Sequence, residues 1–347
     1  MIKSRREQFE TLFPDQPAFR WKQIEQGFFS SAKSWEDLTS LSKVIREKIT
    51  SIPFSTVEAE NILQSSNGDT HKVILKVEGD KEIESVLMKN KREAWTICVS
   101  SQIGCAMRCG FCATGKMGLS RSLTADEIID QYRFWQKYLD ERSELEGRIS
   151  NMVFMGMGEP LANYEAVKEA LNAILKYTDI GRTRITVSTV GVLPRLEQLL
   201  TDDDWPHIRL AISLHSAIPT TRKQIVPTSY DEFLPKLEEW AKAYLKKFGN
   251  RRHHLTFEYV MLKDVNDTEK HARTLANFVK RIGNVRVNLI PYNLTGVEFQ
   301  CSTGSATDLF QNILKEKGVV TTIRHTMGDD IAAACGQLIV DKEKASK

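Results

Sequence analysis

The chain has no run of about 18 apolar residues, so no membrane-spanning helix is expected. Behind the charged start, Met1-Ile-Lys-Ser-Arg-Arg-Glu7, no apolar stretch follows, so a secretory signal is not expected either. Repeats and low-complexity tracts are missing. A strong excess of one charge is missing too: 48 Lys and Arg against 45 Asp and Glu leave a net charge of +3, too little to announce a nucleic-acid binder by itself. A basic surface would have to be local, and Lys246, Lys247, Arg251, Arg252, His253 and His254 form one candidate patch. A solvated connection between a helix and a strand explains the same run. What remains is an ordinary globular composition, 41% hydrophobic and 27% charged over 347 residues, enough for one large domain and an accessory one.

Of the six cysteines, three fall within eight residues: Cys105, Cys109 and Cys112, in Gly-Cys-Ala-Met-Arg-Cys-Gly-Phe-Cys-Ala-Thr-Gly. Structural zinc sites bring a second Cys or His pair at short spacing, but the nearest histidines here are His71 and His207. A zinc site completed from a distance stays open. A disulfide framework does not suit a large chain without a secretory signal, and clustered thiols fit a reducing cytosol. Three thiolates can also hold an iron–sulfur cubane, leaving one iron free for a non-protein ligand. The spacing Cys-x3-Cys-x2-Cys, with Phe111 before the last Cys, resembles the signature of radical S-adenosylmethionine (SAM) enzymes.

Along the chain, apolar positions recur at three and four between Gln8 and Ile52, which predicts helices closed by Pro53. From Thr56 to Met88 the texture alternates, notably in Lys72–Val77 and Ile83–Met88, which predicts a small sheet with Gly79-Asp80 as a turn. After the cysteines, short apolar runs alternate with helical stretches. The runs are Thr96–Ser100, Met152–Met155, Arg184–Ser188, Ile208–Ser213, Thr256–Met261, Val285–Ile290 and Val319–Ile323. This is the pattern of parallel β/α units. Six units predict a partial (β/α)6 barrel, an α/β fold open on one flank. The chemistry-bearing segments follow the carboxyl ends of the runs, where β/α barrels build their sites.

Gly156-Met-Gly-Glu159-Pro-Leu161 superficially matches a dinucleotide fingerprint, but Leu161 replaces its third glycine. The glycines, Gly158 included, permit close backbone approach to a ligand, and Glu159 offers a carboxylate to an ammonium group. Ser188, Ser213-Leu214-His215 and Asn293 stand at successive strand ends, a placement that predicts a shared pocket. Each is also explained as a polar strand end or turn residue. Cys335, flanked by alanines and Gly336, predicts a mobile loop able to approach a buried site; Cys98 ends the first barrel strand. Both thiols also fit as small buried hydrophobes. Cys301 lies in a polar stretch and is incidental.

Assembled, these residues resemble the RlmN/Cfr family of radical SAM RNA methyltransferases. The resemblance runs over essentially the whole chain. It includes Phe19-Arg-Trp-Lys-Gln-Ile24, Cys98-Val-Ser-Ser-Gln-Ile-Gly-Cys105, Met155-Gly-Met-Gly-Glu-Pro-Leu161, Ser213-Leu-His215, Glu258-Tyr-Val-Met-Leu262, Val265-Asn-Asp267, Asn288-Leu-Ile-Pro291 and Ala334-Cys-Gly-Gln-Leu338. It implies a radical SAM barrel over 91–327, an RNA-binding helical accessory domain over 1–54, a β-extension over 55–90 and a C-terminal segment over 328–347 carrying a methyl on Cys335. The implied reaction is methylation of carbon 2 of an adenosine in 23S rRNA and, in RlmN-type members, in certain tRNAs.

By the same resemblance, Cys105, Cys109 and Cys112 hold one [4Fe–4S] cluster, and two SAM molecules serve each turnover, one as methyl donor and one as source of a 5′-deoxyadenosyl radical. Cys335 forms S-methylcysteine. Cys98 resolves the protein–RNA adduct through a transient disulfide with Cys335. Glu84 accepts the carbon-2 proton, although its spacing to Cys98 is one residue longer than the family's. Gly158, Glu159, Ser188, Ser213, Leu214, His215 and Asn293 line the SAM site. The implied partners are RNA and an electron donor such as flavodoxin or ferredoxin, for a cytoplasmic, membrane-free monomer.

Departures occur at Leu294, where the family carries Pro, at Thr228-Ser229, and over Thr295–Ser305. They bear on the RNA target more than on the core chemistry. Pro160 favours RlmN over Cfr, whose members carry Ala there, methylate carbon 8 and confer antibiotic resistance. The competing readings are that carbon-8 activity and a non-catalytic, zinc-bearing RNA-binding protein.

Overall fold

The structure, a computed structural model, describes residues 2–90, 92–249, 255–296 and 298–338. Three short helices open it: α1 (Arg5–Leu12), α2 (Phe19–Phe28) and α3 (Lys43–Lys48), the last continued by a 3-10 turn over Ile49–Ser51. Ser4 and Glu7 form a reciprocal capping box that starts α1, and Ser42 caps α3. Phe9, Trp21, Phe28, Trp35, Ile45 and Ile49 meet in a core separate from that of the barrel. The helical module predicted from periodicity therefore has its own apolar centre.

Three antiparallel strands follow: β1 (Glu58–Gln64), β2 (Thr70–Val77) and β3 (Lys81–Lys89). Gly79 and Asp80 both take positive φ in the β2–β3 turn. The expected β-extension is joined to the barrel sheet. β3 pairs antiparallel with β4 (Trp95–Cys98), Val86 opposite Cys98, so the extension continues the barrel sheet at its edge. β2 is buried almost throughout, and an isolated three-stranded sheet could not cover both of its faces.

From β4 the chain passes through β5 (Gln102–Gly104), α4 (Ala113–Lys116) and β6 (Leu119–Ser122) to α5 (Ala125–Asp140). The β/α alternation then runs β7 (Ile149–Phe154), α6 (Tyr164–Tyr177), β8 (Ile185–Thr189), α7 (Leu193–Thr201) and β9 (Arg209–Ser213). It ends with α8 (Pro219–Ile225), α9 (Phe233–Phe248), β10 (Leu255–Met261), α10 (Glu269–Ile282), β11 (Val285–Pro291), α11 (Gly304–Glu316) and β12 (Thr321–Ile323). β4 and β7 to β12 are parallel neighbours in one open ten-stranded sheet, β1 and β12 at its edges. Each crossover helix presents an apolar stripe to the sheet; in α10 it is Ala272, Leu275, Ala276, Val279 and Ile282, one helical face by spacing. This is the partial α/β barrel expected from the run pattern.

The helical module is fastened to the barrel through α5. Arg5, 1% exposed, pairs with Asp126 at 3.0 Å and Asp130 at 3.1 Å. Arg133 donates to the carbonyls of Phe28 and Phe54, both at 2.8 Å. Of the proposed basic patch, Lys246 and Lys247 end α9, while Arg251, Arg252, His253 and His254 lie outside the described residues.

Candidate active site

The three clustered cysteines sit in a loop closed by a two-stranded ribbon of β5 and β6, which sequence reading missed because each strand is so short. Gly104 makes that closure possible. Its φ is +75°, and a Cβ there would meet the carbonyl oxygen of Gly118 at 1.8 Å. The Cys105 N–H donates to that same carbonyl at 2.9 Å. Cys109 packs with Ile225, Val226 and Tyr292, and Cys112 stands at the N-terminus of α4.

Burial first, and neighbouring charges second, hold these thiols protonated: Cys105 is pushed up to about 12, and Cys109 and Cys112 are also raised. A polycationic group that shares the thiolate charge removes both costs. Among the described residues, no three Cys, His, Asp or Glu side chains converge closely enough for a single metal ion. Sulfurs spread around one cavity suit a cluster instead, in which each thiolate takes its own iron.

That cavity is lined by Cys105, Cys109, Cys112, Gly158, Glu159, Ser188, Ser213, His215, Asn293 and Cys335, so residues from five strand ends do meet in one pocket. Gly158, φ +99°, has no room for a Cβ beside Gln102. Glu159 is 3% exposed; its two carboxylate oxygens accept from the N–H groups of Leu161 and Val190, both at 2.9 Å. Burial raises its pKa and these donors oppose the rise. Ser188 and Ser213 share a hydroxyl contact of 3.3 Å. His215 accepts from the Val260 N–H through Nδ1 at 3.1 Å, so its hydrogen is on Nε2, and burial followed by Arg222 lowers its pKa to about 3. The ring is a neutral donor toward the cavity.

Two expected cavity residues behave differently. Leu214 is fully buried and does not line the cavity; its N–H donates to the Glu258 carbonyl and its own carbonyl accepts from Arg222. Asn293 lines the cavity but donates Nδ2 to the Cys335 carbonyl at 3.1 Å and accepts from Thr326 at 3.0 Å, so it holds the thiol-bearing loop.

A second cavity adjoins the first, lined by Cys98, Met88, Val153, His325 and, again, Cys335 and Arg324. Cys335 is therefore shared by both. Its loop, expected to be mobile, is docked on the cysteine loop: the Ala113 N–H donates to Gly336 at 2.8 Å and the Thr114 hydroxyl to Leu338 at 2.6 Å. Cys98 and Cys335 are both free thiols, so the implied disulfide is not present in this structure. Burial first, then Cys335, pushes the Cys98 thiol up to about 12.

Glu84 lies on β3, 1% exposed, and does not line either cavity among the described residues. Its Oε1 is 2.9 Å from Lys72 Nζ. Glu84 stands two residues before Val86, which pairs with Cys98 in the β3–β4 ladder.

Arg324 was missed by sequence reading. It follows β12, lines both cavities, and sits 3.4 Å from Glu258 and 3.3 Å from Met155 Sδ. Burial alone would lower its pKa; Glu258 and the thiols of Cys335 and Cys98 outweigh that and raise it. A lone Arg after a short apolar run carries no local signal.

Comparisons with known proteins agree with this geometry. Residues 99–276 match the radical SAM superfamily. The dual-specificity RNA methyltransferase RlmN of Alcanivorax borkumensis is 38% identical over 337 residues, 95% of this chain and 85% of the relative. That of Marinobacter nauticus is 37% identical over 337 residues, 95% of this chain and 89% of the relative. The crystal structure of a radical SAM methyltransferase from Sphaerobacter thermophilus superposes with a TM-score of 0.87 at 33% identity, covering 98% of each chain. A triple-cysteine loop over the carboxyl ends of an open parallel barrel, with relatives of this identity spanning nearly the whole chain, makes this protein a member of the radical SAM superfamily and, within it, of the RlmN family of RNA methyltransferases.

Proposed function

We propose that the chain methylates carbon 2 of an adenosine in 23S rRNA, and of certain tRNAs, through a methyl carried on Cys335. The observation that supports this reading is Cys335 lining two adjoining cavities, one bearing the cysteine triplet and the other Cys98. Relatives named dual-specificity RNA methyltransferases support a second RNA substrate. Carbon 2 of adenine lies between two ring nitrogens and is too electron-poor to attack a sulfonium methyl directly. The [4Fe–4S] cluster and SAM of this superfamily supply, when bound, a methyl group, an electron and a 5′-deoxyadenosyl radical.

Cys105, Cys109 and Cys112 hold the cluster. Gly158 would leave backbone room for SAM, and Glu159, already held by the N–H groups of Leu161 and Val190, would offer its carboxylate to the SAM ammonium. Ser188, Ser213 and neutral His215 orient its remaining polar groups, and Asn293 fixes the carbonyl of Cys335. The Cys335 sulfur carries the methyl that becomes bonded to the RNA. The Cys98 thiolate then attacks that sulfur; the sulfur–carbon bond breaks with its electron pair on the carbon, which takes up a proton to complete the methyl on the RNA, a Cys98–Cys335 disulfide forms, and two electrons and two protons from outside must reopen it. Glu84, which lines neither cavity and pairs with Lys72, takes the role of carbon-2 proton acceptor from the family resemblance alone, and the helical module at 1–54 grips structured RNA. An electron carrier of the flavodoxin or ferredoxin type completes the system.

Liquid chromatography with mass spectrometry of RNA from cells with and without the protein tests the assignment against 2-methyladenosine and 8-methyladenosine standards. Gain of the 2-methyl nucleoside in 23S rRNA is expected. Gain of only the 8-methyl nucleoside overturns the carbon assignment.

A further inference from the structure

Arg222 is a buried cation without a matching carboxylate among the described residues. Other buried cations here are paired: Arg5 with Asp126 and Asp130, Lys72 with Glu84 and Arg324 with Glu258. Arg222, 1% exposed, makes no ion pair with a carboxylate among the described residues. It donates Nη1 to the Leu214 carbonyl at 3.1 Å and Nη2 to the Val190 carbonyl at 2.6 Å, and its guanidinium lies 4.1 Å from the Phe233 ring centroid. Its buried Nε has no hydrogen-bond partner among the described residues. An uncompensated buried charge costs several kcal/mol, about what breaking a buried ion pair costs.

The position of Arg222 indicates the missing charge. α8 ends at Ile225, whose carbonyl accepts from the Gly110 N–H at 2.9 Å and whose side chain packs with Cys109. Arg222 itself shares a small cavity with Met107 of the cysteine loop and with Val190, and both of those residues also line the cavity that holds the three cysteines.

We propose that Arg222 is the buried counter-charge of the iron–sulfur cluster and raises its reduction potential. This rests on the reading of Cys105, Cys109 and Cys112 as cluster ligands. Reduction moves one electron from an external donor onto the cluster, breaks no bond and adds one negative charge. A fixed cation at low dielectric stabilises the reduced form more than the oxidised one. The same hydrogen bonds tie the loops after β8 and β9 to this cation, so Arg222 is a positioning residue as well as a source of field.

The test uses the full chain, purified anaerobically, as parent, Arg222→Met and Arg222→Lys. Iron and sulfide are counted, and the cluster is titrated with dithionite under electron paramagnetic resonance. Expected is a loaded Arg222→Met chain whose reduction equilibrium constant falls about tenfold, a downward midpoint shift of about 59 mV for one electron, with Arg222→Lys close to the parent. A loaded Met variant with the parent midpoint overturns the proposal. If Arg222→Met does not load, Arg222→Lys decides: loading at the parent midpoint supports counter-charge, and failure to load assigns the residue to packing and overturns it. A parent chain carrying zinc without sulfide removes the cluster reading, and this inference with it.

Discussion

Lys72 reaches two groups with one ammonium: Glu84 Oε1 at 2.9 Å and the carbonyl of Ala332 at 3.2 Å. It thereby joins the strand that bears Glu84 to the loop that bears Cys335. Both side chains of the ion pair are almost fully buried, at 4% and 1% exposure. Removing Lys72 takes the ammonium away from a carboxylate buried in the core. Lys72→Met is therefore expected to lower stability by about 3–5 kcal/mol, and Lys72→Met combined with Glu84→Leu by less than the sum of the two single changes. Denaturant unfolding of the three variants measures the coupling.

The two thiols outside the triplet should fail differently. With Cys98→Ala, RNA should accumulate covalently attached to protein, because nothing attacks the Cys335 sulfur. With Cys335→Ala, neither attachment nor product should form. Denaturing gels with mass spectrometry of the adduct distinguish these; freely released methylated RNA at the parent rate from Cys98→Ala would contradict the scheme.

Asp130 gives a pH dependence with a definite sign. Burial would raise its pKa, but Arg133 and Arg5 outweigh burial and hold it below the ordinary 3.8. Above that range Asp130 contributes its full stabilisation. As pH falls, the unfolded chain takes up the proton first, and the contribution is lost as pH drops toward the folded-state value. Asp130→Asn should cost about 3–5 kcal/mol near neutrality and flatten the acid limb below about pH 4. Thermal unfolding across that range checks both.

Gly104→Ala should cost cluster more than fold. The added Cβ meets the Gly118 oxygen, and the positive φ is unfavourable for any L side chain. The β5–β6 ribbon must open, which disturbs the Cys105 end of the loop. Iron per chain after anaerobic reconstitution should fall to less than half of the parent's, while the far-ultraviolet dichroism stays near native.

The alternation of runs and helices was legible because buried parallel strands must be apolar, and amphipathic helices must repeat near 3.6 residues. The triplet was legible because its three ligands lie within one loop. β5 and β6 left no periodic trace, being too short, and the joining of the β-extension to the barrel was not legible because edge pairing between β3 and β4 is not written into either strand. The sequence by itself determined the class of fold, the cysteine triplet and the presence of two further thiols. Tertiary contacts alone bring Cys335 between Cys98 and the triplet, let Asn293 hold its loop, set Arg324 in both thiol cavities and tie Arg222 to the loops after β8 and β9. Spacing and periodicity report neighbours along the chain; these relations join distant segments, fixed by strand register and by the docking of one loop on another.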